Sequence, residues 1–411
     1  MYTNIIILLK HNIIQLINME KQNQTQEPEQ PEIEIYEDFD DMNLNDKLLR
    51  GIYGHGYERP SAIQQKAIIP FFSGRDIIAQ AQSGTGKTAT FTIGILSRLD
   101  LEVNETQAII LAHTRELANQ IHSVVKSIGS YTNVTINLTV GGKSIHENIE
   151  ELCRRPHIVI GTPGRVLDMI NKRHLVVDKL KMLVIDEADE LLSNIFINQV
   201  YDIFKMLPAT MQVGLFSATM NDHFFSITEK FMRDPIKILV KNEQLTLDGI
   251  KQYYVNVEKN EFKFDTLCDL YSSFAVSQSI IYCNSKKMVD ILANKLQSEQ
   301  YSVCFIHGDM SQSDRNEIVK DFRAGKTRVL ISTDLLSRGI DIQQISIVIN
   351  YDLPKDLENY IHRIGRSGRF GRKGVAINFI TNYDIDKMKR IEEYYNTLIE
   401  ELPNVDVLNV N

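Results

Sequence analysis

Along most of the chain, short apolar runs alternate with stretches in which apolar residues recur every three or four positions. The first pattern reads as buried strands and the second as helices packed against a sheet. Strand candidates in the first half are 75–80, 108–111, 136–140, 158–160, 182–185 and 213–216; after a break the alternation resumes at 252–257, 279–283, 303–306, 328–331 and 347–350. Two such series predict two tandem α/β domains with doubly wound parallel sheets, 39–240 and 252–411, joined by a short linker at 241–251. From Phe39 the spacing of Leu44, Leu48, Leu49 and Ile52 predicts an amphipathic helix. Pro60 at a first turn predicts another, which carries Gln64.

Ahead of these, residues 20–38 are rich in Gln, Glu and Pro and predict a disordered tail, so 1–38 is read as an N-terminal extension. The apolar start at Ile5–Leu9 is interrupted by Lys10 and His11, too soon for a membrane span. It also lacks the basic lead and small-residue cleavage site of a signal peptide. Because Met19 opens a polar stretch, residues 1–18 are expected to be an upstream extension, which N-terminal peptide mapping tests.

Length (411 residues), 43% hydrophobic and 24% charged residues describe an ordinary globular protein of two or three domains. The net charge of −8 argues at first against a nucleic-acid binder. Its distribution reverses that argument, because eight carboxylates between Glu27 and Asp41 account for the whole of it, while 360–374 carries four arginines and Lys373 with no acid. The four cysteines have no CxxC spacing, which argues against a zinc site or disulfide framework and for a reducing, intracellular setting.

The chemistry begins at Ala81-Gln-Ser83-Gly84-Thr85-Gly86-Lys87-Thr88, directly after the first strand candidate. Small residues there let successive N–H groups converge on an anion at a helix N-terminus. Lys87 supplies charge for the β- and γ-phosphates and Thr88 a hydroxyl for Mg2+. The pattern departs from the usual phosphate loop only in having Ala81 where glycine is expected. The strand at 182–185 ends in Asp186-Glu187-Ala188-Asp189. That placement suits Asp186 to hold the metal and Glu187 to orient and deprotonate water. Gln64 both donates and accepts, as reading an adenine edge requires, and Phe39 or Tyr57 would pack on the base or brace the loop. The second half has no phosphate loop, so it is expected to complete the first domain's site or to bind the polymer on which hydrolysis acts. Its richest stretch is 360–369, where Arg363, Arg366 and Arg369 recur every three residues and Gly365 and Gly368 argue against a plain helix. Arg366 and Arg369 are arginine-finger candidates.

With these residues assembled, the chain from Phe39 onward resembles the DEAD-box RNA helicases. The motifs stand in that family's order: the region 56–65, AQSGTGKT with the family's own alanine at 81, TRELA at 114–118, Gly141-Gly142, Thr162-Pro163-Gly164-Arg165, DEAD at 186–189 and Ser217-Ala218-Thr219. The second half adds 280–285, His307-Gly308-Asp309, Ser332-Thr333-Asp334, Arg338-Gly339-Ile340-Asp341 and His362–Arg369. The resemblance implies two RecA-like domains that close on ATP, Mg2+ and RNA. It implies that Ser83 to Thr88 bind nucleotide with Gln64, Gly339 and Asp341, and that Lys87, Asp186, Glu187, Arg366 and Arg369 serve hydrolysis. Ser217, Thr219, His362 and Arg363 would couple hydrolysis to RNA rearrangement. RNA would lie on Thr114, Arg115, Gly142, Thr162, Arg165 and Thr333, mostly by its backbone and so with little sequence preference.

Residues 335–344 resemble the initiation-factor branch of the family, whereas Ser367 is more like its exon-junction relative; the balance favours initiation. The resemblance thus implies a cytoplasmic monomer served by a scaffold protein of the initiation complex, with the nucleus as the alternative setting and no membrane. The family usually has Pro where this chain has His113, so a change in that RNA-contacting loop is expected. A static RNA clamp and a DNA helicase are rival readings. A GTP switch is disfavoured, because Asn171-Lys172 and Asn294-Lys295 both lack the Asp that a guanine reader needs.

Overall fold

The computed structural model describes residues 34–81, 84–142, 144–193, 195–220, 222–239, 250–273, 278–336, 345–365 and 374–403. Two seven-stranded sheets carry the molecule, and every pairing in both is parallel. The first contains β1 (Ile77–Gln80), β2 (Ala108–Leu111), β3 (Ile136–Thr139), β4 (Ile158–Gly161), β5 (Met182–Asp186), β6 (Gln212–Ser217) and β7 (Ile236–Leu239). Its order is β3-β4-β2-β5-β6-β1-β7. The second contains β8 (Ile250–Asn256), β9 (Ser279–Tyr282), β10 (Val303–Ile306), β11 (Val329–Ser332), β12 (Ile347–Asn350), β13 (Gly374–Ile380) and β14 (Glu400–Glu401), in the order β10-β11-β9-β12-β13-β8-β14. Subtracting seven from each label gives the first order again, so one topology occurs twice.

The central strands are buried on both faces, which is why they read as unbroken apolar runs and not as alternating ones. Each sheet has a hydrophobic cluster on either face. The covering helices follow the expected spacing. In Arg115–Ile128, for example, Leu117, Ala118, Ile121, Val125 and Ile128 are buried, and Thr114 accepts the Leu117 N–H to cap the first turn.

The structure corrects several boundaries. The helix expected from Phe39 is a 3-10 turn, Asp40–Met42, followed by a separate helix, Asp46–Gly54. Asn43 in the left-handed region separates them, and Asn45 caps the second. The next helix is Ala62–Phe72, capped by Ser61, so Pro60 precedes it instead of opening it. The second sheet starts at Ile250, within the expected linker. Strands β7, β13 and β14 had no sequence assignment. Of the expected tail, 34–38 are described as irregular chain, with the Tyr36 N–H donating to the Gln65 carbonyl at 3.4 Å; the remainder, like most of the linker, lies outside the described residues. Among the described residues no helix is long and apolar enough to cross a membrane.

Candidate active site and nucleic-acid face

Among the described residues, Lys87, Thr88, Thr114, Arg115, Gly142, Thr162, Arg165, Asp186, Glu187, Ser217 and Thr219 lie at or just beyond the carboxyl ends of the first sheet's strands, as ligands require in open parallel sheets. The sheet order sorts them. β1, β6 and β5, adjacent to one another, carry Ala81 and 84–88, Ser217 to Thr219 and Asp186-Glu187; β2, β4 and β3, the other side of the edge, carry Thr114-Arg115, Thr162 to Arg165 and Gly141-Gly142.

In the phosphate loop Gly84 and Gly86 take left-handed φ of 82° and 101°, and Gly86 leads into helix Lys87–Arg98. A Cβ at Gly86 would lie 2.5 Å from the Gln64 side chain, so glycine is required on two grounds. The Ala81 N–H bonds the Ser217 carbonyl at 3.0 Å, and Lys87 Nζ folds back to the Ala81 carbonyl at 2.6 Å. Buried Gln64 accepts the Ser61 N–H at 2.8 Å and donates to the Gly86 carbonyl at 3.4 Å, which uses one lone pair and one of its two N–H donors. Tyr57 is half-buried beside His55, with ring centroids 4.9 Å apart. Phe39 is fully buried with Met42, Leu48, Ile68 and Ala89, edge-on to Tyr53. Buried in that cluster, it packs behind the helix that follows the loop. Thr88, at the start of the helix, is partly exposed.

Asp186 is fully buried, and burial, reinforced by the charge of Glu187, pushes its carboxyl up to about 7 against the opposing pull of Lys87. A buried carboxylate raised in this way has the chemistry of a cation ligand, so the residues fit Mg2+. Glu187 stands at φ 49°, in the left-handed region where non-glycine residues are rare, directly before the short helix Ala188–Leu191. His113 Nδ1 lies 3.2 Å from its Oε2.

On the other side, the Arg115 guanidinium packs on Gly141-Gly142. Gly142 has φ 81°, and a Cβ there would lie 2.2 Å from the guanidinium. Thr162 precedes Pro163 at the first turn of Pro163–Asn171, and Arg165 donates to Asn148 Oδ1 at 2.6 Å. Thr333 follows β11 in the second domain and is half-buried.

Three side chains link the domains in ways the sequence did not single out. Asp189 accepts from Thr219 Oγ1 at 2.5 Å and stands 3.4 Å from His362 Nε2 across the cleft. Thr219 is in turn held by Ser217, whose hydroxyl donates to the Thr219 carbonyl at 2.8 Å. Glu116, inside TRELA, pairs with Arg315 of helix Gln312–Arg323 at 2.9 Å, both nearly buried. The helix Leu357–Ile364 stops at Gly365, and Arg363 points into the core. There it donates to Asp334, Asn350, the Asp352 carbonyl and Asn284 at 2.5–3.2 Å, a brace across the ends of the second sheet. Ser83, Gly339, Asp341, Arg366 and Arg369 lie outside the described residues.

Comparison with known proteins agrees with this layout. Residues 61–226 match the DEAD/DEAH box helicase model and 262–371 the helicase conserved C-terminal domain. The chain is 58% identical over 365 residues to the ATP-dependent RNA helicase eIF4A of Meyerozyma guilliermondii, spanning 89% of this chain and 92% of that protein. The chain belongs to the DEAD-box ATP-dependent RNA helicases. The structure of another DEAD-box protein, S. cerevisiae Dbp5 bound to RNA and ADP BeF3, is 37% identical and aligns with a TM-score of 0.83 over 90% of this chain and 96% of that one. A DEAD box protein of Methanococcus jannaschii, 39% identical and covering 90% of this chain and 100% of its own, aligns at only 0.54. The two RecA-like domains here sit much as in the RNA-bound DEAD-box relative.

Proposed function

We propose that the chain is an RNA-dependent ATPase that opens short RNA duplexes locally, in translation initiation. The observation that carries this reading is the sorting of one sheet edge into a nucleotide half and an RNA half, with Asp189 and Thr219 at the nucleotide half reaching His362 of the second domain. In this reading Lys87 and the N–H groups of 84–88 hold the phosphates, while Gln64 reads adenine with its remaining donor and lone pair. Thr88 and Asp186 hold Mg2+, which when bound neutralises charge on the phosphate oxygens. Glu187 orients the attacking water and takes its proton. Arg366 and Arg369 reach the γ-phosphate from the second domain, Asp341 and Gly339 contact the nucleotide there, and Ser83 completes the loop.

RNA lies along Thr114, Arg115, Gly142, Thr162 and Arg165 and continues to Thr333, held by phosphate and 2′-hydroxyl contacts that carry little sequence information. Because the two halves share one rigid edge, closure that seats RNA also brings the second domain onto the nucleotide. The bend this imposes on one strand separates it from its partner. Product release reopens the cleft. The eIF4A name carried by the fungal relatives favours initiation over the exon-junction role, and with it a cytoplasmic monomer assisted by a scaffold protein. Measuring ATP hydrolysis with and without single-stranded RNA tests the reading: strong RNA stimulation is expected, and hydrolysis indifferent to RNA overturns it.

A further inference from the structure

β2 and β5 are neighbours in register, Leu111 beside Ile185, so the residue two places beyond Leu111 stands beside the one two places beyond Ile185. Those residues are His113 and Glu187. Their side chains are 8% and 10% exposed and approach to 3.2 Å between Nδ1 and Oε2. The contact has hydrogen-bond length but not hydrogen-bond angle, and His113 Nδ1 has no other hydrogen-bond partner among the described residues. A buried ring nitrogen without a partner is costly, and rotation of the ring places an N–H on the carboxylate. A proline, which the resemblance leads one to expect at this position, has neither a side-chain donor nor a backbone N–H.

The geometry points to His113 as a positioning residue that ties the hydrolytic carboxylate of Glu187 to the Thr114-Arg115 loop through an Nδ1–H donated to Oε2. This rests on the proposed role of Glu187. A donor on Oε2 fixes the carboxylate rotamer, and hence the direction in which Oε1 faces, as a third group orients the base in other hydrolytic sites. Because His113 is contiguous with Thr114 and Arg115, RNA seated on that loop acts on the orientation of the base. The left-handed backbone at Glu187 aims the side chain; His113 holds it there.

Two measurements test this. In the full chain without nucleotide or RNA, two-bond proton–nitrogen spectra of labelled histidine, assigned by the signal missing in His113→Ala, are expected to show His113 protonated at Nδ1. A bare Nδ1 with the proton on Nε2 overturns the inference. In RNA-saturated hydrolysis, His113→Ala is expected to lower kcat about five-fold, the factor for one hydrogen bond. The KM for ATP and the RNA half-saturation should change less than two-fold. His113→Asn, which restores an N–H close to Nδ1, is expected to recover most of the rate. A kcat unchanged in His113→Ala, an equal loss in both variants, or an effect confined to KM overturns it. RNA stimulation of the unsubstituted chain, measured alongside, separates failure of this inference from failure of the function on which it rests.

Discussion

At the residue scale, the two adjacent carboxylates of the DEAD motif differ in environment, and their tests differ accordingly. Glu187→Gln should keep ATP and RNA bound while hydrolysis slows about 100- to 10,000-fold, the range for loss of a general base, so that RNA is retained in gel-shift assays. Equal loss of binding and turnover would contradict the role. Lys87→Ala should instead abolish nucleotide binding itself, measured by calorimetry. Asp186 is held at about 7 against an ordinary 3.8, so between those values the folded chain keeps a proton that the unfolded chain has released. Its contribution to stability is therefore greatest below about pH 4 and declines as pH rises through 7. Asp186→Asn should raise the unfolding midpoint of the nucleotide-free protein at pH 8 and less so at pH 5, while abolishing hydrolysis; a midpoint lowered at both pH values would refute this.

At the element scale, the phosphate loop depends on what lies behind it. Phe39 fills the space among helices Asp46–Gly54, Ala62–Phe72 and Lys87–Arg98, so Phe39→Ala should cost about 3–5 kcal/mol by denaturant unfolding, through the cavity it leaves. Adenine discrimination should survive in the folded fraction, because the proposed reader of the base is Gln64, beside Gly86, and not Phe39. On the opposite half of the edge, Gly142→Ala introduces both a strained φ and a collision with Arg115. A strain of about 1–3 kcal/mol should weaken RNA binding roughly 5- to 150-fold by fluorescence anisotropy, with RNA-free ATP binding unchanged.

At the scale of the whole molecule, the Glu116–Arg315 pair and the Thr219–Asp189–His362 chain join the domains, and in the proposed cycle they would hold closure. Arg315→Glu should sharply reduce RNA-stimulated hydrolysis and leave an expanded particle in small-angle scattering with RNA and a nonhydrolysable nucleotide. Adding Glu116→Arg should restore compaction, since a nearly buried pair is far more costly to break than to reverse. A double variant no better than the single one would remove this pair from the closing mechanism.

The motifs and the central strands are legible in the chain alone. Runs such as 108–111, 303–306 and 347–350 have the bounds expected, because buried parallel strands are apolar throughout and end abruptly in polar residues. Short-range chemistry was equally legible: glycines at 84 and 86 announce left-handed turns wherever the chain goes. β7 and β14 carry no clear apolar run because edge strands bury one side or neither, and the apolar run of β13 adjoins an arginine-rich stretch. Only the tertiary structure decided which motifs share an edge, since strand order is not chain order. It also decided that Phe39 and Arg363 face inward as braces and that Asp189, Glu116 and Arg315 join the domains. His113 shows the difference most plainly. In sequence it is an unexpected residue beside a threonine, 74 positions from Glu187; parallel pairing of β2 with β5 turns that separation into a 3.2 Å contact.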